Sequence, residues 1–355
     1  MGCGCSSEQR KQRPREEGLT LTDPHVVIGG GTIGGRLARL LASQGKKVVV
    51  ITRSGSVPAG SGIEYRSGID YRAADATLAQ SLLEGAPKAR TVYNCANPPY
   101  TTWDRQWPLL SRAVSDYATQ AGADLVMCSN LYGYGPHAGV LTEDLPLKAT
   151  WPNGEARARV WQEAKALHDA GRVRVTEVRG SDYLCANEQS RMGHRVIPNL
   201  IVGKPVQLLG ELDQPHTWTD PDDVAQLMAS LADSDTGWGR PWHVPSNEPK
   251  TQRAVVADIA HELGVSDYRL SAVGEPMEKL LGFFNPLIRE LNRGRYQFDR
   301  PFVMSAEAAQ SAFGLSPKPW SQVIADLVQP YVSLARDRGK AALSNLGNTR
   351  LPERS

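Results

Sequence analysis

The chain has 355 residues, 41 % of them hydrophobic, and a formal net charge of +2. This length suffices for one large or two modest domains with a real core. The balanced charge, without a basic tract in the globular part, argues against a nucleic-acid partner. No apolar run reaches the ~18 residues of a membrane helix, so we expect no membrane partner either. Cysteines in apolar contexts favour a reducing, cytoplasmic location over a disulfide framework.

The two ends of the chain are polar. Residues 1–23 are charged and lack periodicity, which predicts a disordered tail. They include the sequence MGCGCSS, which has the form of an N-myristoylation signal with adjacent cysteines, but we interpret the segment as a flexible leader. Residues 336–355 are also polar and are expected to form a flexible tail.

Residues 26–54 read as strand, glycine turn, amphipathic helix and second strand. The glycines are spaced G-x-G-x-x-G at Gly29, Gly31 and Gly34. In a βαβ unit the first glycine permits the turn, the second lets a pyrophosphate approach the backbone, and the third lets helix and strand pack closely. The pattern therefore predicts a dinucleotide site at the helix N-terminus, with Thr32 and Ile33 among its contacts.

The end of the second strand bears on the choice of cofactor. An acidic residue there would bind the ribose 2′-hydroxyl of NAD, but this chain has Thr52, Arg53 and Ser54. Arg53 and Ser54 could bind a 2′-phosphate, so we predict NADP as the cofactor, with NAD as second choice. The alternative is that Arg53 is an ordinary solvated arginine.

Strands and helices continue to alternate in the first half of the chain. We expect strands over residues 69–72, 91–95, 123–128 and 172–178, with helices between them, and a long helix over 277–291. These predict an α/β fold, a Rossmann-type doubly wound parallel sheet with a smaller, mostly helical C-terminal part. We place the nucleotide-binding domain at 24–185 and the substrate-binding part at 186–335, interleaved with the first.

Ligands in such folds bind at the carboxyl ends of the strands. Further cofactor contacts are therefore expected from residues that follow predicted strands: Asp75, Ala96, Asn97, Ser129, Gly180 and Ser181.

The order of several short motifs resembles a known family. After the glycine turn come CANPPY, CSNLYGYGP, LTEDLPL, VRGSDY, HTWTDPDDVA and FGLSPKPW. Together they are similar to the extended short-chain dehydrogenase/reductases, the NAD-dependent epimerase/dehydratase family, over about residues 24–331. The resemblance implies hydride transfer between a nicotinamide cofactor and a small molecule, in a protein that often forms homodimers.

The chain departs from the catalytic pattern of that family, which uses a Ser or Thr and a Tyr-x-x-x-Lys motif. No tyrosine here has a lysine four residues later, and Asn130 stands where the Ser would be. Asn153, Gly154 or Glu155 lies near the Tyr position, and Arg157 or Arg159 near the Lys position. An arginine such as Arg157 could still bind the nicotinamide ribose.

Other side chains are candidates for the missing chemistry. We favour Tyr132 as a replacement acid, with Asn130 orienting the substrate and His216 as a further acid or base. Candidate substrate contacts are Tyr134, Tyr183, Arg191, His194 and Trp218. For Tyr134, Tyr183 and the histidines, a structural role in packing is the alternative. We expect no metal site, because no His, Cys and Asp residues have ligand spacing.

Two functional hypotheses remain open. The first is an NADP-dependent oxidoreductase or epimerase with a non-standard proton donor. The second is a cofactor-binding protein without redox chemistry, either an isomerase or cyclase or a silent sensor or scaffold, which the missing Tyr-x-x-x-Lys motif favours.

Overall fold

The computed structural model describes residues 23–56, 68–187 and 190–338. The predicted N-terminal tail, apart from its last residue, and most of the predicted C-terminal tail lie outside these ranges. None of the helices in the described ranges is long and apolar enough to cross a membrane.

The described residues form a central, seven-stranded parallel sheet and two small strand pairs. The strands are β1 (His25–Ile28), β2 (Val48–Thr52), β3 (Ile69–Ala73), β4 (Thr91–Asn94), β5 (Asp124–Asn130), β6 (Val175–Gly180), β7 (Asp182–Tyr183), β8 (Val206–Leu209), β9 (Trp218–Thr219), β10 (Pro241–His243) and β11 (Leu270–Val273). The central sheet has the order β3-β2-β1-β4-β5-β6-β10, while β7 pairs with β9 and β8 with β11. The predicted doubly wound parallel sheet is confirmed.

Helices cover both faces of this sheet. They are α1 (Thr32–Ser43), α2 (Ala79–Gly85), α3 (Trp103–Gln120), α4 (Pro152–Asp169), α5 (Ile197–Ile201), α6 (Pro221–Ala232), α7 (Gln252–Glu262), α8 (Glu275–Phe284), α9 (Pro286–Arg293), α10 (Tyr296–Asp299), α11 (Glu307–Phe313) and α12 (Trp320–Arg338). Two 3-10 turns, Tyr100–Thr102 and Tyr132–Tyr134, follow β4 and β5.

The core is built in two layers around the apolar strands. Leu37 and Leu41 of α1 pack with Val224 and Met228 of α6 on one face. Helices α2, α3 and α4 cover the other face, where Val114 is fully buried. Burial on both faces is why β1 and β2 are continuous apolar runs instead of alternating ones.

A separate apolar cluster holds the C-terminal part together. It joins α5, β8, α7 and α12 through buried side chains such as Ile197, Val206, Ile259 and Leu327. However, α6 and β10 also come from residues 186–335, and both belong to the layers of the central sheet.

Two predicted elements need correction. The single helix expected over residues 277–291 is two helices, α8 and α9, because Pro286 has no backbone N–H to continue α8. The side chain of Asn285 accepts hydrogen bonds from the backbone N–H groups of Leu287 and Ile288, which caps α9. The flexible tail expected from residue 336 is also wrong at its start, because α12 extends to Arg338.

Candidate active site

The glycine turn after β1 holds strand and helix in close contact. Gly29 has a φ of +93°, and a Cβ there would lie 2.7 Å from the Cα of Ala96. A Cβ on Gly34 would lie 1.9 Å from the carbonyl oxygen of Gly29 and 3.1 Å from the Cβ of Cys95. Only glycine is therefore compatible with these two positions.

Gly31 is different, because a Cβ there would meet no atom within 4 Å. It is the N-cap residue of α1 and offers no side-chain cap, and the first turn of this helix, all of it described, carries no acidic residue. Thr32 accepts a 2.7 Å hydrogen bond at Oγ1 from Nδ2 of Asn187, while Ile33 packs against the core. An open backbone at a helix N-terminus fits the diphosphate of a dinucleotide.

The residues expected beside the adenosine are on the surface. Arg53 is exposed directly after β2, and the Ser54 hydroxyl pairs with that of Ser56 at 2.7 Å. After β3, Asp75 accepts hydrogen bonds from the side chain and backbone N–H of Thr77, which lower the pKa of its carboxyl.

The carboxyl ends of β4, β5 and β6 meet at one edge of the sheet, since Asn130 pairs with Gly180. Ser129 is buried here, and its carbonyl accepts the Tyr183 hydroxyl at 2.8 Å. Ser181 is also buried, and its N–H donates to Oγ1 of Thr219 at 3.0 Å. Asn97, which follows β4, is exposed.

Helix α4 contains the positions at which the family would have its Tyr-x-x-x-Lys motif, and two of the candidate residues there are buried. Asn153 and Arg157 lie one turn apart and are both buried, whereas Glu155 and Arg159 are exposed. The side chain of Asn153 donates to the carbonyl of Tyr100 at 3.1 Å. The spacing of Asn153 and Arg157 thus reproduces that of the motif with different chemistry.

Arg157 is a buried cation beside this edge. Its Nη2 donates to the Cys128 carbonyl at 2.9 Å, and its guanidinium lies 4.1 Å from the centre of the Trp107 ring. Burial lowers the pKa of Arg157, although the charge of Glu177 opposes the shift. Among the residues that the structure describes, none is a hydrogen-bond partner of Nε or Nη1. The side chain is closed to solvent, so the predicted ribose contact stays a prediction.

Tyr132 belongs to an aromatic cluster directly after β5. Its ring centre lies 5.2 Å from that of Trp151, 5.8 Å from Trp103 and 6.4 Å from Tyr100. The Asn130 side chain accepts the backbone N–H of Tyr132 at 3.1 Å, which fixes the turn. Burial raises the pKa of Tyr132 well above its ordinary value, and Tyr100 acts in the same direction.

A carboxylate and a histidine pair beside this cluster. His216 is buried, and its Nε2 lies 2.9 Å from Oδ2 of Asp182, while its Nδ1 lies 3.1 Å from the carbonyl of Gln297. The His216 ring thus lies between a carboxylate and a backbone carbonyl, each within hydrogen-bond distance of one ring nitrogen. The ring stacks on Phe298 at 4.6 Å, so His216 itself is enclosed.

Asp182 is the accessible member of the pair. Burial would raise the pKa of Asp182, but the hydrogen bond and charge of His216, with the charge of Arg191, outweigh it and lower the pKa. In turn, the charge of Asp182 adds to the effect of burial in raising the pKa of Tyr100 and Tyr132. The Asp182 carboxyl and the two phenols therefore lie near enough to interact electrostatically.

Three predicted substrate contacts have their polar atoms bound within the protein. The Tyr134 hydroxyl accepts from Nη1 of Arg179 and donates to Nε2 of His243, both at 2.7 Å. Trp218 donates to the Lys250 carbonyl at 2.9 Å. Tyr183 donates to Ser129, as described above, so we propose no substrate contact through these three groups.

The other two predicted substrate contacts lie in the C-terminal part. Arg191 lies 3.5 Å from the centre of the Phe298 ring and donates to the Leu209 carbonyl at 3.1 Å. Burial lowers the pKa of Arg191 to about 10, so it remains charged at neutral pH. The His194 ring packs edge-on against Tyr331 of α12 at 5.6 Å, which favours a packing role.

Sequence reasoning did not single out several residues of the cleft. Asp182 follows a strand end, a position that could have identified it, but its partner His216 is 34 residues away. The aromatic residues Tyr100 and Trp151 come from two segments that are far apart in the sequence, and neither was predicted as a site residue. No group of three or more His, Cys, Asp or Glu in the described ranges could hold a metal ion.

Comparison with known proteins agrees with this geometry. The model of the NAD-dependent epimerase/dehydratase family matches residues 25–242, more than half of the chain. A sequence search of curated proteins finds no match.

Solved structures with the same fold include three enzymes. dTDP-glucose 4,6-dehydratase from Bacillus anthracis str. Ames, in complex with NAD, has a TM-score of 0.70 and 19 % identity, covering 88 % of this chain and 97 % of that chain. UDP-glucuronic acid 4-epimerase from Bacillus cereus, with UDP-glucuronic acid and NAD, has a TM-score of 0.70 and 16 % identity, covering 88 % and 99 %.

UDP-glucose 4-epimerase from Thermotoga maritima, with UDP-glucose, has a TM-score of 0.70 and 12 % identity, covering 87 % of this chain and 99 % of that chain. At such identities the likeness shows the fold alone. The family model shows more than the fold, because it matches more than half of the chain. The chain belongs to the NAD-dependent epimerase/dehydratase family.

Proposed function

We propose that the chain is a nicotinamide-dinucleotide-dependent oxidoreductase or epimerase that acts on a small molecule. The observation that carries this proposal is the glycine turn, where open space over Gly31 faces the N-terminus of α1. Family membership supports it, and the similar structures named above are dehydratases and epimerases of nucleotide sugars. Gly29, Gly31, Thr32 and Gly34 would hold the diphosphate.

A bound nicotinamide would supply or accept a hydride at the carboxyl ends of β4, β5 and β6. Tyr132 stands at this edge with a raised pKa, so its hydroxyl keeps its proton at neutral pH. It can donate that proton to a substrate oxygen but cannot remove one. Proton donation to the substrate oxygen accompanies reduction of a carbonyl; Asn130 would then hold the turn, and Arg191 would be available to an anionic group of the substrate.

Replacing Tyr132 with phenylalanine should lower kcat by about 100-fold, the usual contribution of one positioned general acid. The ring and its packing against Trp151 are retained, so affinity for the dinucleotide should stay within about twofold. Steady-state kinetics and a fluorescence titration with NADH or NADPH measure the two effects separately.

The proton could come from Tyr132 or from the Asp182–His216 pair, and a variant of Asp182 distinguishes these two donors. If Tyr132→Phe keeps full turnover while Asp182→Asn loses it, the proton comes from the Asp182–His216 pair, and Tyr132 is not the acid. Tyr100→Phe is the matched control, because it removes a hydroxyl from the same aromatic cluster.

The cofactor is NAD or NADP. The similar structures named above with a dinucleotide contain NAD, so NAD is the better supported. The exposed Arg53 after β2 is the argument for NADP.

If NADP is the cofactor, Arg53→Ala should lower NADPH affinity by about 10- to 150-fold and leave NADH affinity unchanged, because one charge-assisted contact to a 2′-phosphate contributes roughly 1.5–3 kcal/mol. Titrations of both cofactors with both proteins measure this. Tighter binding of NADH by the unsubstituted protein would refute the NADP prediction. Arg72→Ala, on the adjacent strand, is the control for general loss of surface charge.

A cofactor-binding protein without redox chemistry is the second candidate. The observation that favours it is Asn153, a buried amide in the place of the catalytic tyrosine, with its side chain bound to the Tyr100 carbonyl. Dinucleotide binding without any oxidation or reduction of the nicotinamide, across nucleotide-sugar and simple carbonyl substrates, would support this candidate over the first.

A further inference from the structure

Ion pairs join helices α1 and α6 at both ends of their contact. At the N-terminal end, Nε of Arg36 lies 2.9 Å from Oδ1 of Asp222, and the two side chains are 27 % and 45 % exposed. At the opposite end, Nζ of Lys46 lies 2.6 Å from Oδ2 of Asp233, and these side chains are 20 % and 52 % exposed. The two pairs are therefore alike in charge, in burial and in the helices that they connect.

The Arg36 pair differs from the Lys46 pair because it also reaches the glycine turn. Nη1 of Arg36 donates to the carbonyl of Thr32 at 3.0 Å, and Thr32 is the first residue of α1. It directly follows Gly31, over which we expect the diphosphate to lie. A guanidinium can serve both partners at once, because its planar group presents several N–H donors in fixed directions.

The hydrogen bond to Thr32 acts on a group that the diphosphate needs. A trans peptide group is planar, so holding the Thr32 carbonyl also fixes the direction of the Ile33 N–H in the same peptide group. This N–H is one of those at the start of α1 that have no partner within the helix and are therefore available to an anion. Arg36 thus bears on the site without touching the ligand itself.

Asp222 is held in place by Lys318, from the segment that precedes α12. Nζ of Lys318 contacts the Asp222 carboxylate. The same Nζ lies 3.2 Å from Oδ1 of Asp220 and 3.0 Å from Oδ2 of Asp326. Burial would lower the pKa of Lys318, but the hydrogen bond to Asp222 and the charge of Asp220 outweigh it and raise the pKa. A lysine that stays charged therefore fixes the carboxylate on which Arg36 rests.

Two roles for Arg36 make opposite demands on Asp222. If the arginine attracted the diphosphate only through its charge, the carboxylate of Asp222 would weaken binding by repelling the same anion. If the arginine instead orients the first turn of α1, Asp222 is required, because it holds the guanidinium beside the Thr32 carbonyl. The observed contacts favour the second role.

We propose that Arg36 and Asp222 are positioning residues for dinucleotide binding: their ion pair, held by Lys318, directs the first peptide groups of α1 toward the diphosphate. This inference rests on the proposed function and extends it, since it makes the C-terminal part of the chain necessary for a site built from β1 and α1. The Lys46–Asp233 pair, at the far end of the same helices, has no such role.

Titrations of the full chain with NADH and NADPH, followed by fluorescence, test this role. For the dinucleotide that binds more tightly, Asp222→Asn should lower the affinity about fivefold, although it removes a negative charge near the diphosphate. Asp233→Asn makes the same change at the far end of α6 and should bind within about twofold of the unsubstituted protein.

Variants of Arg36 complete the cycle. Arg36→Gln should lose at least as much affinity as Asp222→Asn, and the double variant should lose no more than Arg36→Gln alone, because both substitutions break one contact. Arg36→Lys keeps the charge but lacks the fork that joins Asp222 to the Thr32 carbonyl, so it should also weaken binding. Thermal melts verify that each variant is folded at the temperature of the titration.

Either of two results would overturn this inference and leave the proposed function standing. One is binding by Asp222→Asn that is as tight as, or tighter than, that of the unsubstituted protein, because Arg36 would then act at most through its charge. The other is equal weakening by Asp222→Asn and Asp233→Asn, because any ion pair between the two helices would then have the same effect. If the unsubstituted protein binds neither dinucleotide, the proposed function is refuted and this inference with it.

Discussion

Replacing Gly31 with valine should lower the affinity for a nicotinamide dinucleotide by about 100-fold or more, which corresponds to roughly 2.7 kcal/mol. The new side chain would occupy the open space over the turn where the diphosphate is expected. The backbone of Gly31 is extended, with φ −74° and ψ −156°, and no atom lies within 4 Å of a Cβ there. No atom of the fold obstructs the first carbon of the new side chain, so we expect the melting temperature to fall by only a few degrees, the cost of valine at an N-cap.

Gly34→Ala is the control for the Gly31 variant, because it should disturb the fold as well as the binding of the dinucleotide. Its Cβ would lie 1.9 Å from the carbonyl oxygen of Gly29, so α1 and β1 must separate. We expect this variant to lose both binding and thermal stability. A fluorescence titration and a thermal melt measure the two properties, and undiminished binding by Gly31→Val would show that the diphosphate does not lie on this turn.

Replacing Glu177 with glutamine should lower the free energy of unfolding by about 3–5 kcal/mol. Glu177 and Arg179 are both buried side by side on β6, with 2.6 Å between Oε2 and Nη2. Burial alone would lower the pKa of Arg179, but the charge of Glu177, with Tyr134, outweighs it and raises the pKa. Without the carboxylate, the hydrogen-bond partners of the buried guanidinium would be neutral, namely the amide oxygen of the new side chain and the Tyr134 hydroxyl.

Glu163→Gln is the matched control for this effect. Glu163 forms a similar pair with Arg112, at 2.7 Å, but both side chains are substantially exposed, so its loss should cost less than about 1 kcal/mol. Urea denaturation of both variants at pH 7 gives the two free energies. Equal losses for Glu177→Gln and Glu163→Gln would mean that the buried pair contributes nothing beyond a surface one.

The sequence predicted best those features of the fold that depend on contacts between residues close together in the chain. The glycine spacing and the apolar run of β2 depend on contacts within about thirty residues, and both appear in the structure as predicted. The break at Asn285 was missed although it is local, because the apolar spacing of α8 continues through it into α9. Pro286 was the signal that should have divided the helix.

The chemistry of the cleft was less accessible because its contacts are distant in sequence. Tyr134 looked like a substrate contact, but its hydroxyl is bound by Arg179 and by His243, which is 109 residues away. His216 was a candidate acid or base with a structural role as the alternative, and its Nε2 atom lies 2.9 Å from Oδ2 of Asp182. Hydrogen-bond partners of this kind follow from the fold and cannot be read from spacing.

The most direct measurement is a crystal structure of the protein with NAD or NADP. We expect the diphosphate to lie over Gly31 at the N-terminus of α1 and the nicotinamide ring to lie between the ends of β4, β5 and β6, within reach of Tyr132 or Asp182. Electron density for the dinucleotide elsewhere, or no measurable binding of either cofactor in solution, would contradict it.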